Sequence, residues 1–255
     1  MAVDDRTMPL LGHLAELRWR FIKSLLAIGG AFFPTYFFAS ELFTFLSHPL
    51  AWATPQPPVM VGLGPAEAFF TKLKVAFIAA LFLASPAVFY QIWQFIAPGL
   101  YQHEKRYVIP FVLLGTFFFL LGAGFCYRVV LPVAYAFFLA EYATIGVEPT
   151  LRISEYLSFT ARMLLAFGVT FEMPIFAFFF TRIGVITHLT LLNYFRYAVV
   201  FIFVLAAVLT PGPDVASQLL LAGPLLALYG LSIGIAYFCR PKSPPPKEED
   251  GTAKS

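Results

Sequence analysis

Three glutamates hold most of the chemistry this sequence offers. Glu16 lies in HLAELRWRF among basic residues, and Glu104 lies in IAPGLYQHEKRY beside Lys105 and Arg106. Glu172 stands in AFGVTFEMPIFAFFF, with no other charge from Met163 to Phe180. An ionised carboxylate only accepts hydrogen bonds, and its two oxygens match the planar fork of a guanidinium. Consecutive side chains of an extended peptide point to opposite faces, so two adjacent arginines are best met by two carboxylates on separate segments. Glu16 and Glu104 are such a pair. Glu172 is a different kind of group. At the centre of a membrane span a charge costs about 2.5–3.5 kcal/mol on insertion scales, and an ionisable residue there is by default a transport or partner site. Each acid also has a plainer reading. Glu16 and Arg20 are spaced for an i,i+4 pair worth roughly a few tenths of a kcal/mol. Glu104 can pair with a neighbour. Pro174 has no N–H for the Thr170 carbonyl, so a protonated Glu172 can donate to a carbonyl nearby.

Other chemistry is sparse. There is no GxxxxGK[ST], so nucleotide hydrolysis by this chain is not expected. GLSIG at 230–234 matches GxSxG in form, but it falls mid-helix, whereas a nucleophile elbow needs a strand-to-helix turn. His13, His48, His103 and His188 all fall outside the predicted spans, which leaves Ser232 without a base. Gly230 and Gly234 read instead as a GxxxG packing pair. The histidines also lack metal-ligand spacing. No catalytic residue, metal, cofactor or nucleic-acid partner is therefore expected.

The elements that must position these acids follow from composition. The 255 residues are 60% hydrophobic and 12% charged, with mean hydropathy +0.79. Soluble domains carry about 25% charge, so water is not this chain's main solvent. It reads as an all-α, polytopic membrane protein with a single membrane domain, 1–238, and a disordered proline-rich, charged tail, 239–255. Six spans are predicted, at about 24–46, 71–95, 107–127, 157–180, 194–209 and 215–238. Pro34 predicts a kink in the first, and the third is expected to continue past Arg128. The fifth is short, about 24 Å against the roughly 30 Å hydrocarbon core. The turn TPGPD joins it to the sixth. The first loop on the side away from the termini, SHPLAWATPQPPVMVGLGPAEAFF, is expected to be extended and irregular.

Of the 17 Lys and Arg, only Lys72, Lys74, Arg128, Arg152 and Arg162 fall on that side, so both termini are expected in the cytoplasm. No cleaved leader is expected, because the first apolar run is too long for a signal-peptide core. A bacterial or archaeal plasma membrane is the simplest compartment. Cys126 and Cys239 are predicted too far apart to bridge.

Several separate stretches resemble one family, in its order: HLAELRWR, SPAVFYQIWQFIAPGLYQHEKR at 85–106, FGVTFEMP, and the TPGPD turn followed by Gln218. Together they resemble the C subunit of the twin-arginine translocase, the TatC family, over about residues 9–238. The family commonly has TPPD where this chain has TPGPD. The resemblance implies a non-enzymatic receptor that binds Arg-Arg signal peptides of folded cargo. It implies an oligomeric complex in the lipid bilayer, containing other copies of itself and single-span TatA- and TatB-like partners, and transport driven by the proton-motive force. Carried onto this chain, Glu16 and Glu104 are the expected arginine acceptors, held by Arg18 and Arg106, with Phe95 as an apolar contact. Glu172 is expected as a buried polar station inside a concave face, and Thr210 and Gln218 at a face that docks a partner helix. The competing reading is a proton-coupled small-solute transporter using Glu172. The absence of an internal repeat counts against it, since many transporters show paired halves.

Overall fold

The computed structural model describes residues 10–56, 58–96, 108–182, 184–210 and 215–239. Its helices are α1 (Leu10–Phe37), α2 (Ala39–Ala53), α3 (Glu67–Ile96), α4 (Val108–Phe125), α5 (Leu131–Thr144), α6 (Ile153–Thr170), α7 (Met173–Arg182), α8 (His188–Asn193), α9 (Phe195–Leu209) and α10 (Val215–Phe238). A π-helical turn, Cys126–Val130, joins α4 to α5, and two short strands, β1 (Met60–Val61) and β2 (Leu151–Arg152), pair in parallel.

Six spans emerge. Four are long and apolar: α3, α4 continued through α5, α6 continued through α7, and α10. The fifth is the bent pair α1–α2, and the sixth is the short apolar helix α9. The third span does continue past Arg128, as far as Thr144.

The first span departs from expectation. α1 runs on through Pro34, and the chain turns by 86° four residues later, at Phe38. A proline disturbs the helical turn before it, not the one after. In that region the Thr35 hydroxyl bonds the Ala31 carbonyl at 3.0 Å and the Ala76 carbonyl of α3 at 2.8 Å, tying α1 to its neighbour. After the bend α2 lies across the face opposite the termini. Tyr127 and Tyr156 donate to the Phe45 and Leu46 carbonyls at 2.6 and 2.7 Å, and Arg128 stacks 4.2 Å above the Trp52 ring. The start of the loop expected to be irregular, from Ser47 to Ala53, is therefore helix.

The remainder of that loop is tied to the second by β1–β2. Glu67, at the start of α3, accepts from the Leu63 and Ser154 N–H groups and from Arg152 Nε, at 2.7, 3.2 and 3.2 Å. One carboxylate thereby joins both loops to α3 and α6.

The core is centred on α6, whose Leu157, Met163 and Phe167 are fully enclosed. α4 approaches α6 closely because glycines face it. A Cβ on Gly122 would stand 2.6 Å from the Phe167 carbonyl, and one on Gly168 would stand 2.7 Å from the Phe119 ring. Among the described residues the packing predicted for Gly230 and Gly234 has no partner: a Cβ on either would meet nothing within 4 Å. Ser232 between them is buried and its hydroxyl donates to the Leu228 carbonyl of its own helix at 2.9 Å. Cys126 is enclosed and Cys239 half-buried, and both thiols are free.

Candidate functional site

The end of the bundle nearest the N terminus builds its polar cluster on the α1–α3 seam. Glu16 and Arg20 are one helical turn apart, so their side chains meet. Glu16 Oε1 accepts from Arg20 Nη2 at 2.8 Å and Nε at 3.3 Å. The same guanidinium reaches across to α3, where Nη1 donates to Gln94 Oε1 at 2.7 Å and Gln91 Oε1 at 3.4 Å. Gln94 in turn donates to the Tyr90 hydroxyl. Phe95 stacks on His13 with ring centroids 4.3 Å apart. The Glu16 and Arg20 side chains are 22% and 20% exposed, so the cluster is open to a ligand. Both bonds to Glu16 fall on Oε1, and among the described residues no donor reaches Oε2.

Arg20, not Arg18, therefore holds Glu16. Arg18 is two residues from Glu16, round the far side of the helix, and lies exposed with its guanidinium 5.9 Å from the Trp19 ring. Glu104 and Arg106 lie outside the described residues. Gln91, Gln94 and His13 were not singled out from the sequence. The signal that could have found the two glutamines is the spacing of Tyr90, Gln91 and Gln94, polar residues close along one side of the otherwise apolar last turns of α3.

Glu172 occupies the break between α6 and α7. The helix stops at Thr170 and resumes at Met173, with Pro174 fully buried just inside the new start. Proline is tolerated in a first turn, where its N–H would lack an intrahelical partner anyway. The carboxyl is expected as a buried polar station, and in the structure Glu172 is 5% exposed. It lodges against α4, where a Cβ on Gly115 would stand 3.3 Å from Oε2 and 3.7 Å from the Phe89 ring. Gly115 and Gly122 are two turns apart, on one face of α4. That face receives both the α6–α7 break and the end of α6. Among the described residues Oε1 of Glu172 has no hydrogen-bond partner.

Thr210 and Gln218 flank the α9–α10 turn, whose residues 211–214 lie outside the described residues. Thr210 is buried rather than lipid-facing, and its hydroxyl donates to the Ala207 carbonyl at 3.3 Å. Gln218, in the first turn of α10, is half-exposed. The structure thus brings Glu16 and Phe95 into one cluster and leaves Glu172 and the Thr210–Gln218 turn as separate places.

These features define a six-span helical membrane protein with a polar cluster at one end and a carboxyl enclosed within the span region. Residues 12–224 match the family model for Sec-independent protein translocase protein (TatC). The chain belongs to the TatC family. It is 43% identical over 239 residues to the TatC protein of Campylobacter jejuni, covering 93% of this chain and 97% of that one. With the Escherichia coli K12 TatC it shares 38% identity over 238 residues, 93% and 91% of the two chains. A crystal structure of a twin-arginine translocase receptor, TatC, superposes with a TM-score of 0.80 at 38% identity, covering 88% of this chain and 97% of that one.

Proposed function

We propose that this chain is the signal-peptide receptor subunit of a twin-arginine translocase, seated in a plasma membrane with both termini in the cytoplasm. The observation that carries the reading is the α1–α3 cluster: a part-exposed carboxylate with one unengaged oxygen, beside two glutamine amides and an aromatic pair. A guanidinium arriving there meets Glu16 Oε2, and the Phe95–His13 rings offer an apolar wall. Glu104 is the second acceptor and Arg106 its neighbour. Arg20 keeps Glu16 oriented, so a ligand must compete with a resident arginine. Glu172 serves as a hydrogen-bonding group at membrane depth, and the Thr210–Gln218 end meets a TatA- or TatB-like helix in an assembly with other copies of the chain. The proton-motive force, rather than a nucleotide, drives the cycle.

The test is peptide binding to the purified chain. An Arg-Arg signal peptide should bind, and its Lys-Lys counterpart should bind much more weakly, because an ammonium cannot reproduce the guanidinium fork. A charge-assisted hydrogen bond is worth roughly 1.5–3 kcal/mol, so Glu16→Ala or Glu104→Ala should weaken binding about tenfold or more. Unchanged affinity in both variants rejects the two-acceptor reading.

A further inference from the structure

Three cations gather on the face opposite the termini, along the seam between α3 and α6. Lys74 Nζ donates to Ser158 Oγ at 2.9 Å, and Arg162 Nε donates to the Ser158 carbonyl at 3.1 Å. Above them Lys74 and Arg152 line an open cavity of about 360 Å³, together with Glu67, Thr71 and Ser154. The register makes the strip continuous. Glu67, Thr71 and Lys74 share one face of α3, and Ser154, Ser158 and Arg162 share one face of α6.

Charge on this strip is unbalanced. Glu67 is the one acid lining the cavity, and four donors occupy it: the Leu63, Gly64 and Ser154 N–H groups and Arg152 Nε. Lys74 and Arg162 are exposed, and among the described residues their side chains hydrogen-bond only to the neutral oxygens of Ser158. Lys74 lies seven residues inside α3, about 10 Å below its start, so these cations sit at interfacial depth rather than in the loops. Arg162 reaches back one turn toward the start of α6, the direction a cation takes to meet head groups.

We propose that this strip binds the phosphate of an anionic phospholipid in the leaflet opposite the termini. Lys74 and Arg162 engage the phosphate oxygens, and the cavity beside Arg152 takes the head group. An uncharged glycerol-type head group fits it better than an ethanolamine, whose ammonium would find the Glu67 carboxylate already engaged. Inorganic phosphate shares the chemistry, and the experiment separates the two.

The full-length protein is reconstituted in bilayers of phosphatidylglycerol and phosphatidylethanolamine and analysed by native mass spectrometry for retained lipid. Phosphatidylglycerol should be retained in preference. The Lys74→Gln/Arg162→Gln double variant should lose about tenfold in retention, and each single variant less. Lys74→Arg should keep the lipid. So should Lys72→Gln, which removes an equal charge roughly 200° round α3. Thermal melting in phosphatidylethanolamine alone checks that each variant is folded; if the double variant is not, the single variants and Lys74→Arg decide. Equal retention of both lipids, or loss from Lys72→Gln as large as from Lys74→Gln, overturns the proposal. Complete displacement by millimolar phosphate makes the strip a free-anion site and overturns the lipid assignment.

Discussion

Glu172 buries an oxygen with no hydrogen-bond partner among the described residues, and a buried unsatisfied polar atom costs about 1–3 kcal/mol. Alanine removes that penalty and leaves a small void beside Gly115. A purely structural glutamate would then be replaced with little consequence for transport. Under the receptor reading, Glu172→Ala keeps or raises the melting temperature, leaves Arg-Arg peptide binding nearly intact, and lowers export strongly. Glu172→Gln should retain much more export, since a carboxylic acid and an amide can both donate a hydrogen bond. Normal export by the alanine variant rejects a transport role. A glutamine variant as inactive as alanine points instead to a carboxyl that must titrate, which is the proton-coupled alternative. The oddity of this residue is visible in FGVTFEMP, because a charge amid phenylalanines needs a reason. Its counterpart is not: Gly115 is 57 positions away, and only the register of α4 on the α6–α7 break brings the two together.

Gly122 and Gly168 set how closely α4 and α6 approach, but they do so against different neighbours. A methyl on Gly122 meets the Phe167 backbone carbonyl, which cannot move aside without shifting α6. A methyl on Gly168 meets the edge of the Phe119 ring, which can rotate. Overpacking costs about 1–3 kcal/mol. Gly122→Ala should therefore fall near the top of that range and Gly168→Ala near the bottom, measured as melting temperature in detergent or bilayer. Gly122→Ala should also lower export, because displacing α4 takes Gly115 away from Glu172. Equal melting shifts for the two variants contradict this account. Small residues are easy to find in a sequence, but a helix repeat does not say which stripe has a neighbour. That is why Gly230 and Gly234 looked like the packing pair when Gly115, Gly122 and Gly168 hold that role.

Across the whole molecule the number of spans was legible and their ends were less so. Hydropathy records how apolar a segment is, and a helix lying across a membrane face can be as apolar as one crossing it. The 86° turn at Phe38 is therefore invisible in composition, and the span predicted to end at 46 divides into α1 and α2. The link between the two loops depends on Glu67 meeting Ser154 across 87 positions, and no local pattern announces it. Orientation is testable directly. In sealed vesicles of known sidedness, a membrane-impermeant maleimide should reach Cys239 from the cytoplasmic side and a cysteine placed at Leu63 from the other; the reverse result overturns the placement of the termini.

The shortness of α9 has an effect beyond the protein itself. Its 15 residues span about 22 Å, and Phe201, Val204 and Val208 face outward, so lipid tails beside it must shorten to match. A bilayer resists such compression elastically, at fractions of a kcal/mol per Å of mismatch. Two copies that turn their α9 helices toward each other share one dimple instead of maintaining two, so the membrane itself pulls the copies together. Self-association in reconstituted bilayers should therefore strengthen as acyl chains lengthen and fade in short-chain lipid, a trend that single-molecule fluorescence counting would read directly.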